Sequence, residues 1–146
     1  CQIINEFGYK NTPVSVLGKD VVTVKPRKDL ERYDIIVFRA PGNGKQFYIK
    51  RVVGLPGETV EIDNGFVTIY NDEQSEGQVL DESGYLPEGR KTNGSRKTTL
   101  ADDEYYVLGD NRPASSDSRS FGPLNKDEVI GKVLLRAWPV GEFTVF

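Results

Sequence analysis

The chain has 146 residues, 37% of them hydrophobic and 28% charged, with 15 Gly and 8 Pro, a globular, turn-rich composition that excludes collagen-like and disordered chains. Histidine is absent and the single cysteine is Cys1, so His triads, Cys-His dyads and His/Cys zinc clusters are excluded by counting, and an enzymatic base must be Lys, Asp, Glu or Tyr. With 19 Lys and Arg against 22 Asp and Glu, the net charge is -3, which argues against a nucleic-acid binder that relies on phosphate neutralisation.

One cysteine allows no internal disulfide, so cysteine usage does not decide between an intracellular and a secreted setting. No apolar run approaches the roughly 20 residues of a spanning helix or the core of a signal peptide. The expectation is a soluble chain, with Cys1-Gln2-Ile3-Ile4 as the trailing edge of a segment removed upstream.

In chain order, the β-branched and aromatic runs Val21–Lys25, Asp34–Phe38, Gln46–Val53, Thr59–Ile62 and Phe66–Tyr70 predict strands. Asp63-Asn64-Gly65 predicts a hairpin, because Asn and Gly accept the positive φ of a tight primed turn. Residues 71–101 change character: Asp, Glu, Ser, Gly, Lys and Thr dominate, and the apolar anchors are Val79, Leu80, Tyr85, Leu86 and Leu100. That composition predicts a surface insertion or small accessory lobe set into a core of residues 1–70 and 102–146. Asn93-Gly94-Ser95 matches a glycosylation sequon, a motif short enough to arise by chance. Glu104–Leu108 and Lys132–Trp138 read as further strands, and Asn125–Ile130 as the one helical turn, with Asn125 as its cap. The fold class is mainly β.

Two segments carry chemistry. In Tyr48-Ile49-Lys50-Arg51-Val52-Val53-Gly54-Leu55-Pro56-Gly57-Glu58, strand alternation sends Lys50 and Arg51 to opposite faces, so one of them points inward. A lysine pressed against Val52 or Phe38 loses solvation and its pKa falls, which suits it to act as a general base; the plainer reading is a surface lysine on an edge strand. The second segment is the polar loop Gly109-Asp110-Asn111-Arg112-Pro113-Ala114-Ser115-Ser116-Asp117-Ser118-Arg119-Ser120-Phe121-Gly122. Asp117 has Arg119 or Arg112 as a partner, and a serine hydroxyl is at hand to orient a lysine amine; the plainer reading is a rigid, self-capped loop.

Together with Arg32-Tyr33-Asp34-Ile35-Ile36-Val37-Phe38, these segments resemble, in order, three signature boxes of the type I signal peptidases, membrane-anchored serine proteases with a Ser/Lys dyad. The resemblance runs from about Gly18 to Trp138. It implies a β-rich catalytic core with an inserted small β lobe. Lys50 would match the general base, Ser115 the hydroxyl that hydrogen-bonds that lysine, and Asp110, Asp117 and Arg119 the polar residues bracing the site. Substrates would be exported preproteins bound as an extended strand, with small side chains before the cut. No metal or organic cofactor is implied.

The family's nucleophile sits in a box of the form Ser-Met-x-Pro-Thr-Leu, and here the corresponding stretch is Tyr9-Lys10-Asn11-Thr12-Pro13-Val14-Ser15-Val16-Leu17-Gly18-Lys19-Asp20. Anchoring on Pro13 puts Lys10 at the serine position, and anchoring on Asp20 puts Asn11 there. Ser15 and Thr12 are the nearest hydroxyls, each reached only by a register change. The departure resembles the catalytically degenerate signal-peptidase-like proteins of Gram-positive pilus gene clusters, which assist sortase-dependent polymerisation. The expected function is therefore a non-proteolytic accessory holding an extended segment of a pilin or other exported protein. The alternative is an active peptidase with Lys50 as base and Ser15 or Thr12 as nucleophile. A self-cleaving repressor-type domain shares the Ser/Lys chemistry but would bring a DNA-binding domain and another loop signature. Either of the first two readings implies the outer face of the cytoplasmic membrane and an anchor helix before Cys1. Phe7 and Val14 are then candidates to dip into the bilayer, whereas Val16 and Leu17 read as core.

Overall fold

A computed structural model describes residues 12–16, 19–26, 30–42 and 45–136, with the backbone alone for 12–26 and 134–136. Among these residues there are eleven strands: β1 (Thr12–Val16), β2 (Lys19–Pro26), β3 (Ile35–Arg39), β4 (Phe47–Gly54), β5 (Thr59–Asp63), β6 (Phe66–Asn71), β7 (Gln74–Val79), β8 (Arg96–Thr99), β9 (Glu104–Leu108), β10 (Leu124–Asn125) and β11 (Val129–Arg136). They form a seven-stranded sheet in the order β1-β2-β11-β3-β4-β9-β10 and a four-stranded sheet in the order β7-β6-β5-β8. The pairing in both sheets is antiparallel. The mainly-β expectation holds.

The central strands of the larger sheet are buried on both faces, which is why they read as continuous apolar runs rather than alternating ones. In β3, Ile36 and Phe38 join a cluster with Val52, Val107, Leu124 and Val129, while Val37 points the other way to pack with Ile49. Val53, Tyr106 and Leu108 leave the same sheet to meet Val60, Ile62, Val67 and Ile69, the inward residues of β5 and β6. That shared cluster joins the two sheets. At Gly54 they approach so closely that a Cβ would lie 2.5 Å from Val60 Cγ2 and 2.9 Å from Tyr106 Cβ.

The β5–β6 hairpin turns at Asn64 (φ 51°) and Gly65 (φ 90°), as the primed turn requires. The four-stranded sheet starts at Thr59, so the compositional boundary at residue 71 falls at the end of β6, inside that sheet. Strands β7 and β8 carry almost wholly exposed side chains and gave no period-2 signal. A four-residue helix, α1 (Ser118–Phe121), stands in the polar loop, in addition to the expected turn at 126–128 whose Asn125 side chain accepts from Asp127 N. Thr12 and Ser15 lie on β1, an edge strand separated from β4 by β2, β11 and β3; Lys10 and Asn11, like Phe7 and Leu17, are outside the described residues.

Candidate functional site

Strand β4 places Lys50 and Arg51 on opposite faces, and both are half-buried. Lys50 shares its face with Tyr48 and Val52; its Nζ stands 5.6 Å from the centre of the Tyr48 ring, which packs edge-on against Phe38. Burial is the main reason the Lys50 pKa falls below that of an ordinary lysine; Arg119 pushes it the same way, while Asp117 and Asp110 oppose the fall. Lys50 thus stands half-buried beside an aromatic cluster of Phe38, Tyr48 and Phe121. Less proton affinity makes a neutral, base-competent amine more accessible near neutral pH.

Arg51, on the other face, holds Asp110 through two hydrogen bonds, Nε to Oδ1 at 2.9 Å and Nη2 to Oδ2 at 2.7 Å. This fork-on-fork geometry is the strong form of the arginine–carboxylate pair. It ties the start of the polar loop to the strand that carries Lys50. The same guanidinium donates from Nη1 to the Tyr33 carbonyl at 3.0 Å and lies 4.1 Å over the Tyr85 ring.

Of the two partners open to Asp117, the structure selects Arg119. The Asp117 side chain is fully buried and accepts from Arg119 Nε at 2.9 Å, Arg119 Nη2 at 2.8 Å, Arg119 N at 3.2 Å and Gly109 N at 3.0 Å. Burial alone would raise its pKa, but these donors outweigh burial and hold the carboxyl below the usual aspartate range; the same pairing raises that of Arg119. Asp117 also caps α1, with the Ser120 side chain completing a capping box. Ser115 Oγ is buried and has no hydrogen-bond partner among the described residues, so the bond to Lys50 implied by the family resemblance is not formed in this structure. Asp110, Asp117, Arg119 and Lys50 are thus drawn together around one loop and one strand.

Sequence reasoning missed the part played by residues 82–92. The Arg112 side chain is fully buried, with Nη2 2.5 Å from Glu82 Oε1, Nε 3.0 Å from Gly109 O, and Nη1 donating to Thr92 Oγ1. Tyr85 donates its hydroxyl to Glu82 Oε1 at 2.9 Å. Burial, reinforced by the Glu82 carboxylate, raises the Tyr85 pKa and keeps the phenol protonated. No periodicity or motif marked Glu82; Tyr85 stood out only as an apolar anchor in a polar stretch.

The chain matches the family described as "Signal peptidase, peptidase S26" over residues 2–138. It is 34% identical over 125 residues to signal peptidase IB of Staphylococcus aureus, covering 78% of this chain and 64% of that protein. It is 37% identical over 120 residues to signal peptidase I of Bacillus caldolyticus, covering 78% and 65%. The chain thus spans less than two thirds of the length of either relative. A crystal structure of a signal peptidase I from Enterococcus faecalis V583 resembles it with a TM-score of 0.58 and 35% identity, covering 73% of this chain and 97% of that one.

Proposed function

The chain belongs to the signal peptidase family, peptidase S26, and from that premise we propose that it holds an extended segment of an exported protein without cutting it. The observation that carries this reading is in residues 9–20, where neither register of the family's box puts a serine at the nucleophile position: Lys10 and Asn11 stand there instead. A Ser/Lys mechanism needs the lysine to take the serine proton as the hydroxyl attacks the scissile carbonyl, and without that hydroxyl no acyl-enzyme forms whatever the pKa of Lys50.

The braces around the loop, Arg51 with Asp110 and Arg119 with Asp117, hold the loop in place beside the β4 strand. A client would be an extended strand of a preprotein or pilin, recognised through main-chain hydrogen bonds at a sheet edge. In this reading the chain works at the outer face of the cytoplasmic membrane, tethered by an anchor helix in the full-length protein, as an accessory to pilus or export machinery that includes sortase. No helix among the described residues is long and apolar enough to cross a membrane.

One observation favours a second reading: the lowered pKa of half-buried Lys50 is what a working base requires. Ser15 or Thr12 would then have to supply the hydroxyl from β1, which β2, β11 and β3 separate from β4 in the sheet. The deciding experiment is incubation of a purified signal-peptide-bearing preprotein with the full-length protein in detergent or lipid, read by mass spectrometry beside a related active peptidase. The binding reading expects no cut, together with retention of the preprotein by the protein. A cut after a small residue that is lost in Lys50→Ala would overturn it, and loss of the same cut in Ser15→Ala or in Thr12→Ala would identify the nucleophile of the second reading.

A further inference from the structure

Glu82 stands at the meeting point of two chains of contacts that end at Asp117 and at Asp110, the two carboxylates that act on Lys50. One runs through charge: Glu82 Oε1 accepts from Arg112 Nη2 at 2.5 Å, the Arg112 carbonyl accepts from Arg119 Nη2 at 2.8 Å, and Arg119 holds the buried Asp117. The other runs through Tyr85: its hydroxyl donates to the same Glu82 oxygen at 2.9 Å, its ring lies 4.1 Å under the Arg51 guanidinium, and Arg51 grips Asp110. Asp110 and Arg112 are two residues apart, and the Arg112 N–H donates to the Asp110 carbonyl at 3.0 Å. The contacts therefore close into a ring that spans residues 82–85, the 109–119 loop and strand β4.

Tyr33 adds a further tie. It is a non-glycine residue at φ 73°, a conformation that costs energy unless its surroundings hold it. Its carbonyl accepts from Arg51, its N–H donates to the Val52 carbonyl at 2.8 Å, and its ring meets Tyr85 at 5.8 Å.

We propose that Glu82 and Tyr85, carried by the segment between β7 and β8, are positioning residues that clamp the 109–119 loop against β4 and thereby keep Lys50 shielded from water. Arg112 makes the clamp strict: its guanidinium is wholly buried, so it needs an anionic partner at that point, and Glu82 is the carboxylate that meets it. When the clamp opens, the loop lifts and water reaches the Lys50 amine. The charged and titratable groups around that amine among the described residues are Asp117 and Arg119 at α1, Asp110 in the loop and Tyr48 on its own strand.

This inference rests on reading Lys50 as the centre of the site. Its test needs neither cleavage nor a client, so its failure is distinguishable from failure of the proposed function. The full chain is labelled competitively with isotopic acetic anhydride across a pH series, and the reactivity of Lys50 is followed by peptide mass spectrometry, with Lys97, whose side chain is 54% exposed, as the internal reference. In Glu82→Gln the clamp reading expects the Lys50 midpoint to rise toward the ~10.4 of an unperturbed lysine, while Lys97 stays put. If Glu82 acted only as a nearby negative charge, removing it would lower the Lys50 midpoint, because a lost carboxylate disfavours the ammonium. A lowered or unmoved midpoint in a folded Glu82→Gln protein overturns the proposal. Tyr85→Leu, which keeps the Arg112 pair but removes the hydroxyl and the ring under Arg51, decides the matter if the first variant does not fold: a raised Lys50 midpoint supports the clamp and an unchanged one sinks it. Glu82→Asp, which retains the charge, is expected to restore part of the wild-type midpoint.

Discussion

Replacing Asp117 with Ala removes the acceptor of four hydrogen bonds from a position with no solvent exposure. The Arg119 guanidinium keeps its bond to the Arg112 carbonyl but loses its counter-ion, and its side chain is only 16% exposed, so water compensates little. The Gly109 N–H, on a buried residue, is left without that acceptor, and α1 loses its cap. Breaking a buried ion pair from one side costs about 3–5 kcal/mol, and an N-cap alone is worth about 1 kcal/mol that overlaps with it, so the expected loss is about 3–4 kcal/mol. Urea unfolding followed by circular dichroism measures it, with an unchanged denaturant slope as the check that the same surface is exposed on unfolding. The double variant Asp117→Ala with Arg119→Ala should lose less than the sum of the two single variants, by about 1–3 kcal/mol, because the second change removes the stranded charge. A loss below about 1 kcal/mol in Asp117→Ala, or strict additivity in the cycle, would refute the view that this pair holds the loop.

Acid should unfold the chain through the same group and through Glu58, whose carboxylate accepts from Arg32 at 2.7 and 2.8 Å, from Asn71 at 2.9 Å and from Leu55 N at 2.9 Å. Both carboxyls are held below the usual range by these donors, against the opposing effect of burial, so their stabilisation is complete above the unfolded values near ~4 and is lost as pH falls through the lower folded ones. A melting series from pH 6 downward should therefore show its steep drop below about pH 4, and Glu58→Gln should flatten part of it. Phe38→Ala, at a fully buried ring with Tyr48 at 6.0 Å and Phe121 at 5.9 Å, should cost about 3–5 kcal/mol in urea unfolding. Gly54→Ala should cost about 1–3 kcal/mol, since its methyl would press on Val60, Leu100 and Tyr106 where the sheets meet.

How far the fold was legible follows from which faces are buried. The strands β3, β4, β5, β6 and β9 bury one face or both, so their β-branched and aromatic runs announced them. The strands β7 and β8 bury neither face well; Gln74–Val79 and Arg96–Thr99 are held by backbone pairing to β6 and β5, and composition shows nothing of that. The helix α1 leaves no hydrophobic period because it has four residues, and its local signal is Asp117 with Ser120 three residues on, a capping box inside a polar loop. At the site, strand alternation correctly separated Lys50 from Arg51, but adjacency in sequence carried no trace of Glu82, whose partner Arg112 lies thirty positions away. Local spacing reports local neighbours; a buried charge cluster assembled across two sheets becomes visible only once the sheets are placed.

The adjacency of Lys50 and Arg51 gains its meaning from that placement. Pairing of β3 with β4 sets Ile36 opposite Lys50 and Ile35 opposite Arg51. A slip of one residue would exchange the two faces of β4, putting a permanently charged guanidinium beside Phe38 and leaving Asp110 with an ammonium that cannot grip it bidentately. Arginine resists deprotonation, so it cannot escape the cost of an apolar wall by shedding its proton, whereas lysine can. The residue that can turn neutral thus faces the aromatic cluster, and the one that cannot faces a carboxylate and a ring. The register that buries the apolar side chains of β3 and β4 is the same register that gives Lys50 its lowered pKa, so the chemistry of the site is set by the packing of the core rather than added to it.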